Sequence, residues 1–256
     1  MKVSVITAVY NRADTLEDCL RSVAEQTHPD VEHVVVDGGS TDGTLELLRR
    51  GSPRLGPWIS EPDRGIYDAL NKGLALARGE VVGVLGSDDV YADPDVLAAV
   101  AAAFAESGAD SVHGDLLYVR RDDPRKVVRR WISSPHRPGA FARGWMPPHP
   151  TFFVRRAVYE ALGPYRTDFA IAADYELMLR YLERHGISNH YLPRTLVRMR
   201  TGGASNQSPR HLLRKTYEDC LAWRRNGLPL RPSTILRKNL SKLPQFFRGG
   251  TTPYPS

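Results

Sequence analysis

The first half of the chain alternates short apolar runs with amphipathic segments. Runs of β-branched and apolar residues predict buried strands, and apolar residues at helical spacing predict the helices between them. This alternation is typical of a parallel sheet with right-handed crossovers. The predicted strands are 2–9, 31–36, 58–60 and 80–85, and the predicted helices cover 15–23, 45–48 and 65–77.

The second half of the chain has a different pattern. A loop rich in Pro, Gly and aromatic residues spans 135–150, and Gly202 and Gly203 interrupt the chain further on. We therefore predict one domain over 1–204, with halves 1–110 and 111–204, followed by a tail over 205–256. The predicted elements are strands 111–119, 126–132, 151–154 and 189–199, a helix 174–185, and tail helices 210–226 and 233–247.

Charge is distributed unevenly along the 256 residues. The net charge is +6, but the tail holds ten Lys and Arg against two acidic residues, which leaves 25 basic and 27 acidic residues in 1–204. A basic tail suggests an anionic partner, although a solvated helical face has the same composition. Two cysteines and the lack of a long apolar run predict a cytoplasmic chain with neither disulfides nor a membrane span.

Carboxylates follow two of the predicted strands. Asp37 precedes a Gly-rich turn, and Asp88 and Asp89 follow the strand at 80–85. The carboxyl ends of parallel strands meet at one edge of a sheet, where ligands bind. Adjacent carboxylates repel each other, and a hard divalent cation would offset that repulsion. Each feature alone is better explained by an ordinary turn or helix cap.

A third acidic feature is the pair Asp174 and Glu176 at the start of a predicted helix. The helix dipole favours carboxylates there, and a carboxylate at a cleft edge could also act as a base. The dinucleotide fingerprint is missing after the first strand, and no phosphate-loop motif occurs. These absences disfavour the usual nucleotide-binding folds, although the type of sheet fits them.

Six segments in this order resemble family 2 inverting glycosyltransferases, which have the GT-A fold. Together they cover about residues 1–204, and each is modest on its own. The segments are VSVITAVYN at 3–11, DGGSTDGT at 37–44, DRGIYDALNKG at 63–73, GSDD at 86–89, HPTFF at 149–153 and ADYELMLR at 173–180.

The resemblance implies a fold, an activity and roles for individual residues. The fold would be a GT-A-like α/β domain with a mixed, Rossmann-type sheet, a nucleotide-sugar half at 1–110, an acceptor half at 111–204 and a basic helical extension. The activity would be transfer of a hexosyl group from a nucleotide-sugar, with UDP favoured over GDP or dTDP, to a glycan or lipid-linked hydroxyl. Tyr10, Asp37, Arg64, Asn71 and Asp88 would bind the donor, Asp89 would bind Mg²⁺ or Mn²⁺, and Asp174 would be the catalytic base.

Three positions depart from the family pattern. Ala8 stands where many members have Pro, and Ala173 replaces the Glu of a Glu-Asp pair, for which Glu176 could compensate. A downstream metal-binding His is missing from 199–206, so His149 or Arg200 could take its place, Arg200 by contacting the diphosphate. The resemblance places the loop at 145–146 and residues 149–153 on the acceptor side, while Phe152 and Phe153 are expected in the core.

The tail lies outside the resemblance. Apolar and basic residues alternate in it, which is typical of a helix on an anionic membrane surface, such as the inner face of the cell membrane. Packing on its own domain or on a second subunit is the alternative, and no module for nucleic-acid binding occurs. A pyrophosphorylase acting on sugar nucleotides would need a Gly-rich basic loop after the first strand, which 7–12 does not contain. A non-catalytic nucleotide-sugar-binding or scaffold protein at the membrane surface is the alternative from a different class.

Overall fold

A computed structural model describes residues 1–202, 209–230, 234–235 and 237–238, which form a mixed sheet flanked by helices. The strands are β1 (Val3–Val9), β2 (Val31–Asp37), β3 (Leu55–Ser60), β4 (Val81–Val84), β5 (Val90–Tyr91), β6 (Ser111–Val119), β7 (Val127–Trp131), β8 (Phe153–Arg155) and β9 (Asn189–Arg200). The helices are α1 (Leu16–Ala24), α2 (Thr44–Arg50), α3 (Ile66–Leu76), α4 (Val96–Ser107), α5 (Arg156–Leu162), α6 (Ala173–Leu179) and α7 (Pro209–Arg225).

The strand order is β3-β2-β1-β4-β8-β6-β9-β5. Strand β7 pairs with residues 116–119 of β6, beyond residues 111 and 112, which pair with β8. Strands β1 to β4 are parallel, whereas β8 runs antiparallel to both β4 and β6. The register places Val9 opposite Asp37, and Ile6 opposite Val84. The carboxyl ends of β1, β2 and β4 therefore lie along one edge, which confirms the predicted sheet and its mixed character.

Helices cover both faces of the parallel strands, which explains why these strands are apolar at nearly every position. In β1, Ile6 belongs to the core shared with α3 and α6, and Val5 to the core shared with α1 and α4. Gly73 lets α3 lie directly on β1, because a Cβ at this position would be 2.4 Å from Cγ2 of Ile6. This close packing fixes the helix that follows the segment from Asp63 to Gly65.

The structure differs from the predicted elements in several places. Helix α5 was not predicted. Strand β5 was not predicted either, because its two residues are too short a run to show a period. The strand expected at 151–154 begins later, because His149–Thr151 form a 3₁₀ turn with Pro at its first positions. The helix expected at 174–185 ends as a π-helical turn, Arg180–Arg184. The tail helix expected at 233–247 lies almost wholly outside the described residues.

Helix α7 corresponds to the first predicted tail helix, and it packs on α6. The indole Nε1 of Trp223 donates to the hydroxyl of Tyr175 at 2.9 Å, and Asn226 donates to Glu176 at 3.1 Å. Within the described part of the chain, no helix combines the length and apolarity needed to cross a membrane. The domain boundary at 204 stays a prediction, while residues 209–225 are joined to the main body by these contacts.

Candidate functional site

The loop after β2 is organised by Asp37. Its buried carboxylate accepts hydrogen bonds from the backbone N–H groups of Gly39 and Ser40, both at 3.0 Å. The hydroxyls of Ser40 and Ser60 also donate to it, the latter at 2.7 Å. Asn11, which follows β1 with a φ of +50°, accepts a bond from the N–H of Thr41 at 2.8 Å. These hydrogen bonds join the loops that follow β1 and β2 into one rigid unit, which we call the rim.

An aromatic ring and a carboxylate lie beside this rim. Tyr10 is 60% exposed, which is unusual for a ring so close to a core strand. A Cβ on Gly38 would lie 3.4 Å from Cδ2 of Tyr10 and 2.6 Å from Oδ2 of Asp63. The backbone at Gly38 therefore lies directly against the carboxylate of Asp63, which a side chain at position 38 would displace. Asp63 was not among the predicted site residues, although its segment was part of the family resemblance.

The two predicted donor-binding residues on the next segment differ in their surroundings. Arg64 is exposed and forms an ion pair with Asp68 at 2.9 Å. The side chain of Asn71 instead donates to the carbonyl of Tyr165 at 2.8 Å and accepts from its N–H at 3.0 Å. Asn71 therefore attaches α3 to the segment before α6. Its role toward a donor stays a prediction.

Asp88 and Asp89 follow β4 at the same edge of the sheet. Asp89 is buried, and its Oδ1 accepts from the N–H of Arg200 at 3.1 Å. A Cβ on Gly86 would lie 2.6 Å from Oδ2 of Asp89, so the turn needs Gly at this position. Burial and the neighbouring charge of Asp88 raise the pKa of Asp89 to about 8, against the opposing charge of Arg200. The positive charge of Arg200 does not offset the burial of Asp89 and its repulsion from Asp88. Two carboxylates in this situation would be stabilised by a bound cation.

The described residues contain no group of three or more His, Cys, Asp or Glu placed to hold a metal. Two carboxylates nevertheless fit Mg²⁺ or Mn²⁺ in one common arrangement, in which phosphate and water oxygens supply the other ligands. The composition of the Asp88–Asp89 turn is therefore compatible with a metal that is shared with a diphosphate.

Arg200 holds the Asp88–Asp89 turn through its guanidinium group as well as its backbone N–H. Its guanidinium donates to the carbonyl oxygens of Asp88 at 2.9 Å and Arg121 at 3.2 Å, and forms an ion pair with Asp18 at 2.5 Å. Arg200 is only 4% exposed. These contacts make it a structural support of the acidic turn, and a contact with diphosphate oxygens stays a prediction. Arg200 also lines an open cavity of about 450 Å³, together with Asp14, Thr15, Asp18, Arg121 and Asp122.

Asp174 lies in the first turn of α6, half-buried and close to α3. The hydroxyl of Tyr67 on α3 lies 3.3 Å from Oδ1 of Asp174 and donates to the carbonyl of Ile171 at 2.7 Å. Tyr67 thus connects the half that carries the acidic turns with the predicted base. Sequence analysis did not assign Tyr67 a role.

Glu176 does not compensate for the acid missing at Ala173. Its side chain is fully buried and points away toward Arg180, at 3.2 Å, and Asn226, at 3.1 Å. The spacing of a helix explains this, because residues two apart lie on different faces. The expectation that Glu176 would assist Asp174 is therefore wrong.

His149 lies on the same side of the structure as Asp174. Its Nε2 is 2.9 Å from the hydroxyl of Tyr165, whose ring stacks on Tyr67 with centroids 5.9 Å apart. Burial lowers the pKa of His149, and the charge of Asp174 opposes this shift. His149 therefore stays neutral near pH 7. Phe152 and Phe153 are buried in the core, as predicted.

Comparison with known proteins agrees with this arrangement. The family model "Glycosyl transferase family 2" matches residues 4–163. The PGL/p-HBAD biosynthesis glycosyltransferase of Mycobacterium tuberculosis is 34% identical over 198 residues, which are 74% of this chain and 73% of the relative. An uncharacterized glycosyltransferase of M. tuberculosis is 36% identical over 180 residues, which are 70% of this chain and 68% of the relative.

Solved structures show the same fold. TarS from S. aureus in complex with UDP-GlcNAc has a TM-score of 0.68 at 19% identity, over 96% of this chain and 78% of that one. The Pyrobaculum calidifontis mannosyltransferase PcManGT, in complex with GDP-Man and Mn²⁺, has a TM-score of 0.62 at 22% identity, over 98% of this chain and 76% of that one. The sheet, the acidic turns and these matches lead to one conclusion: the chain belongs to glycosyltransferase family 2 and has the GT-A fold.

Proposed function

We propose that this glycosyltransferase transfers a hexosyl group from a nucleoside diphosphate sugar to a hydroxyl of a glycan or lipid-linked acceptor, with inversion and with a divalent metal. One observation carries the proposal. The acidic turns at the ends of β2 and β4 lie along one edge of the sheet, and Tyr67 links Asp174 to the half that contains them.

The proposed donor site lies on the rim between β1 and β2. The exposed ring of Tyr10 offers a face for a nucleobase, and Asp88 supplies an acceptor for ribose hydroxyls. Asp37 is buried, and it would accept from a ribose hydroxyl in place of one of the two serine hydroxyls that donate to it. Exposed Arg64 is free to turn from Asp68 toward phosphate, since a surface ion pair contributes only about 0–1 kcal/mol. UDP is the nucleotide that we propose first, with GDP or dTDP as alternatives. TarS was solved with UDP-GlcNAc and PcManGT with GDP-Man, so proteins of this fold bind UDP-sugars and GDP-sugars.

Asp89, beside Asp88, would hold the Mg²⁺ or Mn²⁺ ion. When bound, such an ion offsets the negative charge that develops on the departing diphosphate. The residues of the chain perform the remaining steps. Asp174 takes the proton from the acceptor hydroxyl, and the hydroxyl oxygen forms a bond to the anomeric carbon on the face opposite the nucleotide. The bond from that carbon to the diphosphate breaks, so the configuration inverts.

A nucleotide panel tests the donor site. We expect one of the nucleotides UDP, GDP and dTDP to raise the melting temperature of the chain in Mn²⁺ or Mg²⁺ but not in EDTA. CMP is the negative control. At a hundredfold excess over Kd the stabilisation is about 2.7 kcal/mol, which corresponds to about 5–10 °C for a chain of this size. The absence of any metal-dependent shift would overturn the donor-site proposal.

Donor turnover distinguishes an enzyme from a scaffold. Ala173 and the missing downstream His favour the alternative of a non-catalytic protein that only binds nucleotide-sugar. Hydrolysis or transfer of the donor by the wild-type chain, lost in Asp174→Asn, supports the enzyme. Nucleotide binding without turnover with any acceptor supports the scaffold.

We also propose that the chain works in the cytoplasm, in cell envelope synthesis, and contacts the inner membrane face through α7. Three apolar side chains on this helix are strongly exposed, Leu212 at 61%, Leu213 at 73% and Tyr217 at 65%. The helix also carries exposed basic residues, including Arg214 and Arg224. Exposed apolar and basic side chains on one helix suit an anionic lipid surface.

Vesicle sedimentation tests this contact. The double substitution Leu212→Glu and Leu213→Glu should weaken binding to phosphatidylglycerol vesicles at least about tenfold, since burying each leucine contributes about 1.5–3 kcal/mol. The matched control, Val127→Glu with Val128→Glu, changes two exposed apolar residues on β7 and should leave binding unchanged. Equal binding by all three proteins, or no binding by the wild type, would contradict the proposed membrane contact.

A further inference from the structure

The three residues that precede α6 are held by a carboxylate from the tail. The backbone N–H groups of Ala170, Ile171 and Ala172 donate to Glu218 at 3.1, 2.8 and 3.0 Å. Glu218 lies on α7 and is only 3% exposed. One buried side chain therefore binds three consecutive amides, almost fifty residues earlier in the sequence.

This contact supplies what α6 lacks locally. The first N–H groups of a helix have no partner within the helix, and the helix dipole favours a negative charge beside them. The N-cap residue is Ala172, and no side chain caps the helix from that position. From a distant part of the chain, Glu218 places a negative charge beside this terminus and accepts from the N–H of the N-cap Ala172, together with the two amides before it.

The same segment is held from its other side by Tyr67. The hydroxyl of Tyr67 donates to the carbonyl of Ile171 at 2.7 Å and lies 3.3 Å from Asp174. Glu218 thus holds the N–H groups of the segment, while Tyr67 holds a carbonyl. Asp174 lies two residues beyond this clamp, so the clamp sets where its carboxylate sits.

Arg214 completes the arrangement from the solvent side. Its Nε lies 3.0 Å from Oε1 of Glu218, one helical turn away. The buried carboxylate therefore has a countercharge in addition to its three amide donors. Such a fully bonded carboxylate is a rigid anchor, because leaving any of these groups unsatisfied would be costly.

We propose that Glu218 is a positioning residue for Asp174, so that the tail helix α7 is a working part of the catalytic domain. This inference rests on the proposed role of Asp174 as the base. Positioning by remote residues matters because a displacement of about 1 Å at the reacting groups can reduce the rate about a hundredfold.

Glu218→Gln is the informative substitution, since it keeps the size of the side chain but turns one acceptor into an NH₂ group facing the amides. We expect kcat to fall about 10- to 100-fold, with KM for the nucleotide-sugar within about threefold of wild type. The metal-dependent stabilisation by UDP should be unchanged. Glu218→Asp, which retains the charge, should recover part of kcat.

Asp219→Asn is the matched control. Asp219 is the adjacent carboxylate, is equally buried, and forms ion pairs with Lys215 at 3.0 Å and Lys238 at 2.7 Å. Asp219→Asn weakens the ion pairs of α7 with Lys215 and Lys238 but leaves Glu218, the acceptor of the three amides, in place. We expect kcat of this variant to stay close to wild type. An equal loss of kcat in both variants, or none in Glu218→Gln, would overturn the proposal.

Hydrogen exchange of the wild-type chain tests the clamp without any variant and without activity. The amides of 170–172 should be protected although they precede the helix, and exchange at the rate of an open loop would overturn the proposal. If the wild type transfers no sugar but these amides are protected, the proposed function fails and the clamp stands as a structural feature only.

Discussion

Asp174→Asn should reduce kcat by about 10²- to 10⁴-fold, the range expected when a general base is removed. Asparagine has the same shape and can still accept the bond from Tyr67, so α6 should keep its position. The Kd for UDP with Mn²⁺ should stay within about twofold of wild type, because the proposed nucleotide site lies at the strand ends of the first half. Initial rates of transfer and calorimetric titration with UDP measure the two effects separately.

Asp168→Asn is the matched control for this experiment. Asp168 is a carboxylate in the same segment, but it is partly exposed and pairs with Arg166 at 2.9 Å and Arg225 at 3.3 Å. Its substitution should change kcat less than about twofold, since surface ion pairs contribute about 0–1 kcal/mol. If Asp174→Asn retains a tenth or more of the wild-type kcat, the base is another residue, and neutral His149 on the same side becomes the first candidate.

Sequence patterns were sufficient for the parallel strands β1, β2 and β4 and for the acidic turns that follow β2 and β4. The apolar runs that became β1, β2 and β4 are buried on both faces, so nearly every position carries the signal. The parallel arrangement then determines that the turn after Asp37 and the turn at Asp88 lie along one edge. This step follows from topology alone and needs no side-chain information.

The contacts between distant residues could not be predicted in this way. Asn71 binds the backbone of Tyr165, and Glu218 binds three amides before α6, across intervals of 94 and 46 to 48 residues. Neither contact leaves a period or a spacing in the sequence. Glu176 shows the converse problem, since its proximity to Asp174 in the sequence suggested a shared role that the geometry of α6 excludes.

The second large effect is expected at Asp89. Asp89→Asn should abolish the metal-dependent stabilisation by UDP, about 5–10 °C at a hundredfold excess over Kd, and should lower kcat/KM by about 10³-fold, as loss of a Lewis acid implies. The apo protein should be at least as stable as wild type. Burial and Asp88 raise the pKa of Asp89 to about 8, so near pH 7 this carboxyl, which is ionised in the unfolded chain, must take up a proton when the chain folds. A neutral amide avoids that cost and keeps an acceptor for the N–H of Arg200.

These opposite changes distinguish a metal-binding role from a structural one. A carboxylate that only supported the turn would lower the melting temperature of the apo protein when it is replaced, and would weaken UDP binding equally in Mn²⁺ and EDTA. Asp93→Asn, in which a nearby carboxylate loses its ion pair with Arg194 at 2.7 Å, should keep the full response to Mn²⁺. Retention of that response by Asp89→Asn would exclude Asp89 as the metal ligand. A stable apo protein that has lost the response to Mn²⁺ would show that Asp89 binds the cation. Cation binding would then explain why this turn contains two adjacent carboxylates although they destabilise the apo protein.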